Sequence, residues 1–209
     1  MKSQLIAINP DNPQEKKLRE VAEILARGGV VIYPTDTVYG IGCDITNARA
    51  IERICRIKNI DARKNRFSFI CHDLSHISEY THNLPDPVFK IMKKALPGPF
   101  TFILNANNNV PKALNPKKNT IGIRVPDNNI IRMLVKELGN PILTTSIKDD
   151  DDVLEYSTDP ELIYEKYRDS VDVVIDGGYG NNVPSTVVDC TGDEIEIVRE
   201  GLGDIEQYL

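Results

Sequence analysis

The sequence predicts an α/β protein in which helices pack on a twisted, open, mixed β-sheet. Strand-length apolar runs alternate with segments of helical periodicity from one end of the chain to the other. No repeat or low-complexity linker separates them, so the whole chain, 1–209, reads as one domain. Near the C-terminus three strand-like runs, VDVVID, STVVDC and EIEIVRE, follow one another closely, as the strands of a sheet do.

Taken in order, QLIAI at 4–8 reads as a strand. Asn12, Pro13 and Glu15 then supply an N-cap, a first-turn proline and a capping-box glutamate. Leu18, Val21, Ala22 and Leu25 lie on one face of the helix they start, and Gly28–Gly29 ends it. VVIY at 30–33 is a fully apolar strand that runs into Pro34-Thr35-Asp36-Thr37. Thr46 or Asn47 caps a helix reaching about Lys58, with Ala50, Ile51, Ile54 and Ile57 inward. FSFIC at 67–71 is a buried strand. Asp86-Pro87 starts a helix that Pro97-Gly98-Pro99 breaks before the strand FTFIL. TIGIRV at 120–125 alternates like a half-buried strand. Asp127 caps the next helix, Gly139 closes it, and the strand PILTTS at 141–146 leads into the acidic tract Asp149 to Asp152. Asp159-Pro160 starts one more helix before the three final strands.

Composition narrows the function classes. The N-terminal segment MKSQLIAINP has no long apolar run, so neither a signal peptide nor a membrane span is expected, and a cytoplasmic location follows. Cys43, Cys55, Cys71 and Cys190 are far apart and form no C-x-x-C pair, the pattern of reduced core thiols. The net charge is −6, but residues 1–148 carry 22 basic and 13 acidic side chains while residues 149–209 carry 3 and 18. The overall sign argues against nonspecific nucleic-acid binding; the asymmetry leaves room for a local basic face. There is no P-loop and no dinucleotide fingerprint.

Six segments carry candidate chemistry. In Tyr33-Pro34-Thr35-Asp36-Thr37-Val38-Tyr39-Gly40-Ile41-Gly42, hydroxyls and glycines suit either an anion cradle or a capped turn closing on the next helix. Residues 49–66 bring together Arg49, Arg53, Arg56, Lys58, Arg63, Lys64 and Arg66; a helix C-terminus accounts for Arg56 and Lys58, but not for the loop cations. Alternation puts Thr120, Gly122 and Arg124 on one sheet face, where the arginine suits a bidentate anion contact or a solvated position. Thr144, Thr145 and Ser146 end one apolar strand, and Ser185 and Thr186 begin another. Arg199 sits near a strand end. His72 and His76, at i, i+4 spacing, lack a third ligand, so no metal site is expected.

Taken in order, YPTDTVYGIGCD, LPGPFTFIL, TIGIRVP, PSTVVD and IVREG resemble the YrdC-like family of threonylcarbamoyl-AMP synthases over about residues 15–203. The RIKN and TTS patterns look closer to its divergent YciO-type branch. The resemblance implies a twisted open sheet with a large concave basic surface. It implies an enzyme that joins L-threonine, bicarbonate and ATP into threonylcarbamoyl-AMP and pyrophosphate for tRNA modification, with Mg²⁺ entering on the nucleotide. Carried over position by position, Lys58 and Arg124 are the catalytic cations. Thr35, Tyr39 and Ser146 face threonine, and Ser185 and Arg199, with Lys58, face the nucleotide. Two positions depart from the pattern: the arginine of K-x-R falls on Ile60 and the asparagine of S-x-N on Lys148. Arg63, Arg66 and Lys148 are the candidate replacement cations. The alternative is a tRNA- or double-stranded-RNA-binding protein of the same fold, resting on 49–66 with Lys112, Lys117, Lys118 and Arg124.

Overall fold

The computed structural model describes residues 3–61, 67–111, 114, 119–147 and 155–209. The chain runs β1 (Gln4–Ala7), α1 (Glu15–Ala26), β2 (Val31–Tyr33), β3 (Gly40–Asp44), α2 (Ala48–Ile57), β4 (Ser68–Ile70), α3 (Asp86–Ala95), β5 (Phe100–Asn105), β6 (Thr120–Arg124), α4 (Asn129–Leu138), β7 (Ile142–Ser146), α5 (Glu155–Thr158), α6 (Pro160–Tyr167), β8 (Val173–Asp176), β9 (Thr186–Asp189) and β10 (Glu196–Arg199). The strands form one 10-stranded mixed sheet in the order β1-β8-β2-β3-β7-β4-β6-β5-β9-β10. β1, β8 and β2 pair parallel, as do β4 with β6 and β5 with β9; the other neighbours are antiparallel.

Because side chains alternate along a strand, the sheet feeds two cores, one on each face. One face packs Ile32, Ile41, Phe69, Phe102, Ile123, Leu143 and Val174 against α2, α3 and α6. The other packs Val31, Tyr33, Ile70, Ile142, Val173 and Ile175 against Leu18, Val21 and Leu25 of α1 and Ile130, Ile131 and Leu134 of α4. The second layer covers only part of its face. Along one transverse row the register reads Val173, Val31, Gly42, Thr144, Ser68, Gly122, Ile103. The valines lie under α1 and α4; from Gly42 to Gly122 the row turns small or hydroxyl-bearing. Sequence chemistry thus changes where the helical cover stops, and the bare sheet there forms the floor of a concavity.

Several expected boundaries hold. Asn47 caps α2, its side chain accepting the Ala50 N–H at 3.0 Å. Asp159 caps α6, and Gly139 ends α4 in the left-handed region at φ 77°. Others differ. Asn12 caps nothing: the Asn9 side chain accepts the Asp11 and Asn12 N–H groups, which holds that segment as a loop, and α1 starts at Glu15 after Gln14. Asn128, not Asp127, caps α4; the Asp127 N–H is committed to Asp36. β3 was not expected, since the glycines of Gly40-Ile41-Gly42 read as turn. His72 and His76 do not share a helical turn, since His76 only begins the short 3-10 turn Ile77–Glu79; they pair with Asp73 and Glu79, and no cluster of metal-ligating side chains occurs among the described residues. The four cysteines are free. Burial pushes the Cys71 and Cys190 thiols up to about 12, as expected of inert core positions. Among the described residues no helix is long and apolar enough to cross a membrane.

Candidate functional site

The bare part of the sheet is a cavity of about 680 Å³. Its floor is made by side chains of one parity: Ser68 on β4, Gly122 and Arg124 on β6, Thr101 and Ile103 on β5, Thr144 and Ser146 on β7. Ser185, Val187, Val198 and Arg199 close it on the β9–β10 side. Gly122 sets the depth: a Cβ there would stand 2.4 Å from Ser68 Oγ and 3.1 Å from Thr101 Cγ2. The lining holds two guanidinium groups and several hydroxyls but no carboxylate among the described residues.

Arg124 is buried, and the turn after β2 aims it. Its Nη2 donates to Thr37 Oγ1 at 2.9 Å and to Asp36 Oδ1 at 3.4 Å, and the other Asp36 oxygen accepts the Asp127 N–H at 3.0 Å. Burial raises the Asp36 carboxyl above its ordinary value, and Arg124 partly opposes that rise. Burial likewise pulls the Arg124 guanidinium down, against the opposite influence of Asp36. Each charge is therefore held in place at a desolvation cost that the pair offsets only in part. Arg124 Nε is buried without a hydrogen-bond partner among the described residues. Donors that the fold leaves unused suit an incoming anion.

Arg199 is held differently. Its Nε and Nη2 donate to the Ser185 carbonyl at 3.3 and 2.7 Å, and Nη2 lies 3.4 Å from Ser185 Oγ. No carboxylate among the described residues pairs with it. Thr101 Oγ1 lies 2.8 Å from Ser185 Oγ, Thr186 N–H donates to the Pro99 carbonyl, and Leu202 N–H to the Pro184 carbonyl. Three distant segments, LPGPFT, PSTVV and IVREGL, thus meet around Ser185.

The structure brings Arg124, Ser146, Ser185 and Arg199 to one cavity. Thr35, Tyr39 and Lys58 do not line it. Thr35 Oγ1 donates to the Val38 carbonyl, accepts the Thr37 N–H and lies 3.1 Å from Thr37 Oγ1. Its hydrogen-bonding capacity goes into shaping the turn that holds Arg124. The Tyr39 hydroxyl points away, donating to the Gly178 carbonyl and accepting the Gly177 N–H. Lys58 ends α2 and donates to the Ile147 carbonyl at 3.0 Å, one residue beyond Ser146. Arg53 is spent on Asp172 and the Ser170 carbonyl, and Ile60 packs against the core. Arg63, Lys64, Arg66, Lys112, Lys117, Lys118, Lys148 and the tract Asp149 to Asp152 lie outside the described residues.

The glycines of β3 serve the protein rather than a ligand. A Cβ on Gly42 would meet the Leu143 carbonyl at 2.4 Å and the Tyr33 hydroxyl at 2.6 Å. The Tyr33 side chain crosses β3 over this gap and donates to Thr144 Oγ1 at 2.7 Å. Sequence reasoning did not single out Ser68, Thr101 or the Asp36 carboxylate as parts of the site. The signal for the first two was a small hydroxyl inside an apolar strand, in F-S-F and F-T-F.

The family model Sua5_yciO_yrdC, described as telomere recombination, matches residues 23–201. The chain is 42% identical over 208 residues to the protein YciO of Escherichia coli strain K12, covering 99% of this chain and 100% of that one. It is 33% identical to a putative threonylcarbamoyl-AMP synthase of Methanocaldococcus jannaschii, covering 99% and 97%. The crystal structure of E. coli YciO superposes with a TM-score of 0.91 over 99% of this chain and all of that one. That of P. abyssi Sua5 complexed with L-threonine does so at 0.87 and 25% identity, over 95% of this chain and 58% of the Sua5 chain.

Proposed function

Because the chain belongs to the Sua5/YciO/YrdC family, we propose that its cavity makes threonylcarbamoyl-AMP from ATP, L-threonine and bicarbonate. The observation that carries this reading is the lining: two guanidiniums and a floor of hydroxyls, without a carboxylate among the described residues, in a volume of about 680 Å³. That volume is ordinary for a small-molecule site. Such a surface favours polyanions and repels none of their charge. The likeness to a threonine-bound Sua5 and to a putative threonylcarbamoyl-AMP synthase supports the choice of substrates.

The chemistry asks little proton transfer of the protein. The threonine amine condenses with bicarbonate to a carbamate, releasing water. A carbamate oxygen then attacks the α-phosphorus of ATP, the bond to the α,β-bridging oxygen breaks, and pyrophosphate leaves with that electron pair. What the site must supply is alignment and stabilisation of spreading negative charge. Arg124, fixed by Asp36 and Thr37, serves the carboxylate or carbamate; Arg199, paired only with neutral groups among the described residues, serves the phosphates with Ser185. Ser146 lines the opposite side of the cavity, on β7. The lining offers Mg²⁺ hydroxyls rather than carboxylates, so the ion would be held by the phosphates themselves.

Isothermal titration with ATP, followed by pyrophosphate release with threonine and bicarbonate present, tests the reading. ATP binding and threonine-dependent pyrophosphate are expected. Absent ATP binding together with salt-sensitive tRNA binding would replace it with the RNA-binding alternative. Lys58→Ala separates two roles for that lysine. Loss of turnover in a folded variant makes its ammonium part of catalysis, and retained turnover leaves it a tether between α2 and the end of β7.

A further inference from the structure

Thr101 and Ser185 lie opposite each other at the cavity wall with their hydroxyl oxygens 2.8 Å apart, and they are only 6% and 4% exposed. Each hydroxyl has one proton and two lone pairs. The contact between them uses one proton, and the other has no partner among the described residues. Arg199 decides which one is left. Its Nη2 lies 3.4 Å from Ser185 Oγ and 2.7 Å from the Ser185 carbonyl, so a positive charge pulls electron density from the serine oxygen and makes that hydroxyl the better donor. Ser185 therefore donates to Thr101, and a chain of donors runs from guanidinium to serine to threonine, each link strengthening the next.

From this we infer that Thr101 is a ligand-contacting residue of the proposed nucleotide site, presenting its O–H to a phosphate oxygen as the last member of an Arg199–Ser185–Thr101 chain. This deepens the reading above and rests on it. Thr101 is held for the task by its backbone: it is paired with Val187 in the parallel β5–β9 ladder, and its methyl group sits over the gap at Gly122. The hydroxyl can therefore rotate only with its oxygen fixed at the wall.

The test titrates ATP, and separately inorganic pyrophosphate, onto wild type, Thr101→Val, Thr101→Ser, Ser185→Ala and the double variant Thr101→Val/Ser185→Ala. Thermal melts confirm that each is folded. Thr101→Val keeps the shape and should weaken both ligands on the order of tenfold, the effect of one hydrogen bond to a charged group. Thr101→Ser should stay within about twofold of wild type. Because the hydroxyls act as one chain, the double variant should bind no more than about twofold worse than the weaker single. L-threonine affinity should be unchanged in Thr101→Val. Wild-type binding of ATP by Thr101→Val, or fully additive losses in the double variant, would overturn this role while leaving the nucleotide reading intact. A wild type that takes up neither ATP nor pyrophosphate would overturn both.

Discussion

Arg124 shows how much of a candidate site residue lies in its surroundings. The guanidinium is placed by β6, aimed by Thr37 and balanced by Asp36 across a 3.4 Å contact with both side chains 10% exposed. The raised Asp36 carboxyl has a consequence for stability. A carboxyl whose folded value exceeds its unfolded one binds its proton more tightly in the native state. Its contribution is complete below the ordinary 3.8 and is lost as pH rises through the raised value. Compared with Asp36→Asn, the wild type should therefore lose stability with rising pH across that window, measured by urea denaturation at a series of pH values. A curve parallel to that of Asp36→Asn would show that the carboxyl is not perturbed. At this scale the sequence was only partly legible. Arg124 stood out because a cation interrupts TIGIRV, and alternation put it on the right face. Its partner did not, because Asp36 lies 88 residues away and nothing local marks a carboxylate as the mate of a distant strand residue.

Strands and helices were easier to read than their ends. Apolar runs gave β2, β4 and β5, and alternation gave β6, nearly to the residue, because each buries at least one whole face in a core. β3 escaped because its two glycines make space for Tyr33, a tertiary demand that local sequence reports as a turn. That demand is testable. In Gly42→Ala the new methyl meets the Leu143 backbone carbonyl, which cannot move without breaking the β3–β7 ladder. A loss of about 2–3 kcal/mol is expected by chemical denaturation. Tyr33→Phe removes one buried hydrogen bond to Thr144 and should cost about 1 kcal/mol. If Gly42→Ala proved neutral, the close crossing of Tyr33 over β3 would not exist in solution. Caps misread by a residue or two, at Asn12 and Asp127, fail for one reason: the N–H or side chain that sequence assigns to a helix start had already been claimed by a neighbour in space.

For the whole molecule, the decisive property is that a 10-stranded sheet is covered unevenly by helices on one face. The charge asymmetry along the chain proved a poor guide to this. Arg53 from the basic segment is tied to Asp172 from the acidic one, so the fold mixes what the sequence separates. The concave surface, by contrast, follows from where valines give way to Gly, Ser and Thr along a single row. Ligand binding should be felt by the entire sheet. With ATP at a hundred times its dissociation constant, about 2.7 kcal/mol of stabilisation is expected. For a chain of this length that raises the melting temperature by roughly 5–10 °C. A scanning-fluorimetry titration would show it, and an unchanged melt under saturating ATP would contradict occupancy of the cavity.

The meeting of three remote segments at Ser185 also orders events during synthesis. Pro99 and Thr101 emerge from the ribosome well before Ser185, and Arg199 follows later still. Until the final strand docks, the serine carbonyl has no guanidinium to grip and the hydroxyl chain has no source of polarisation. A nascent chain can lay down most of its sheet before Arg199 reaches this wall, so the cavity would be finished later than its floor.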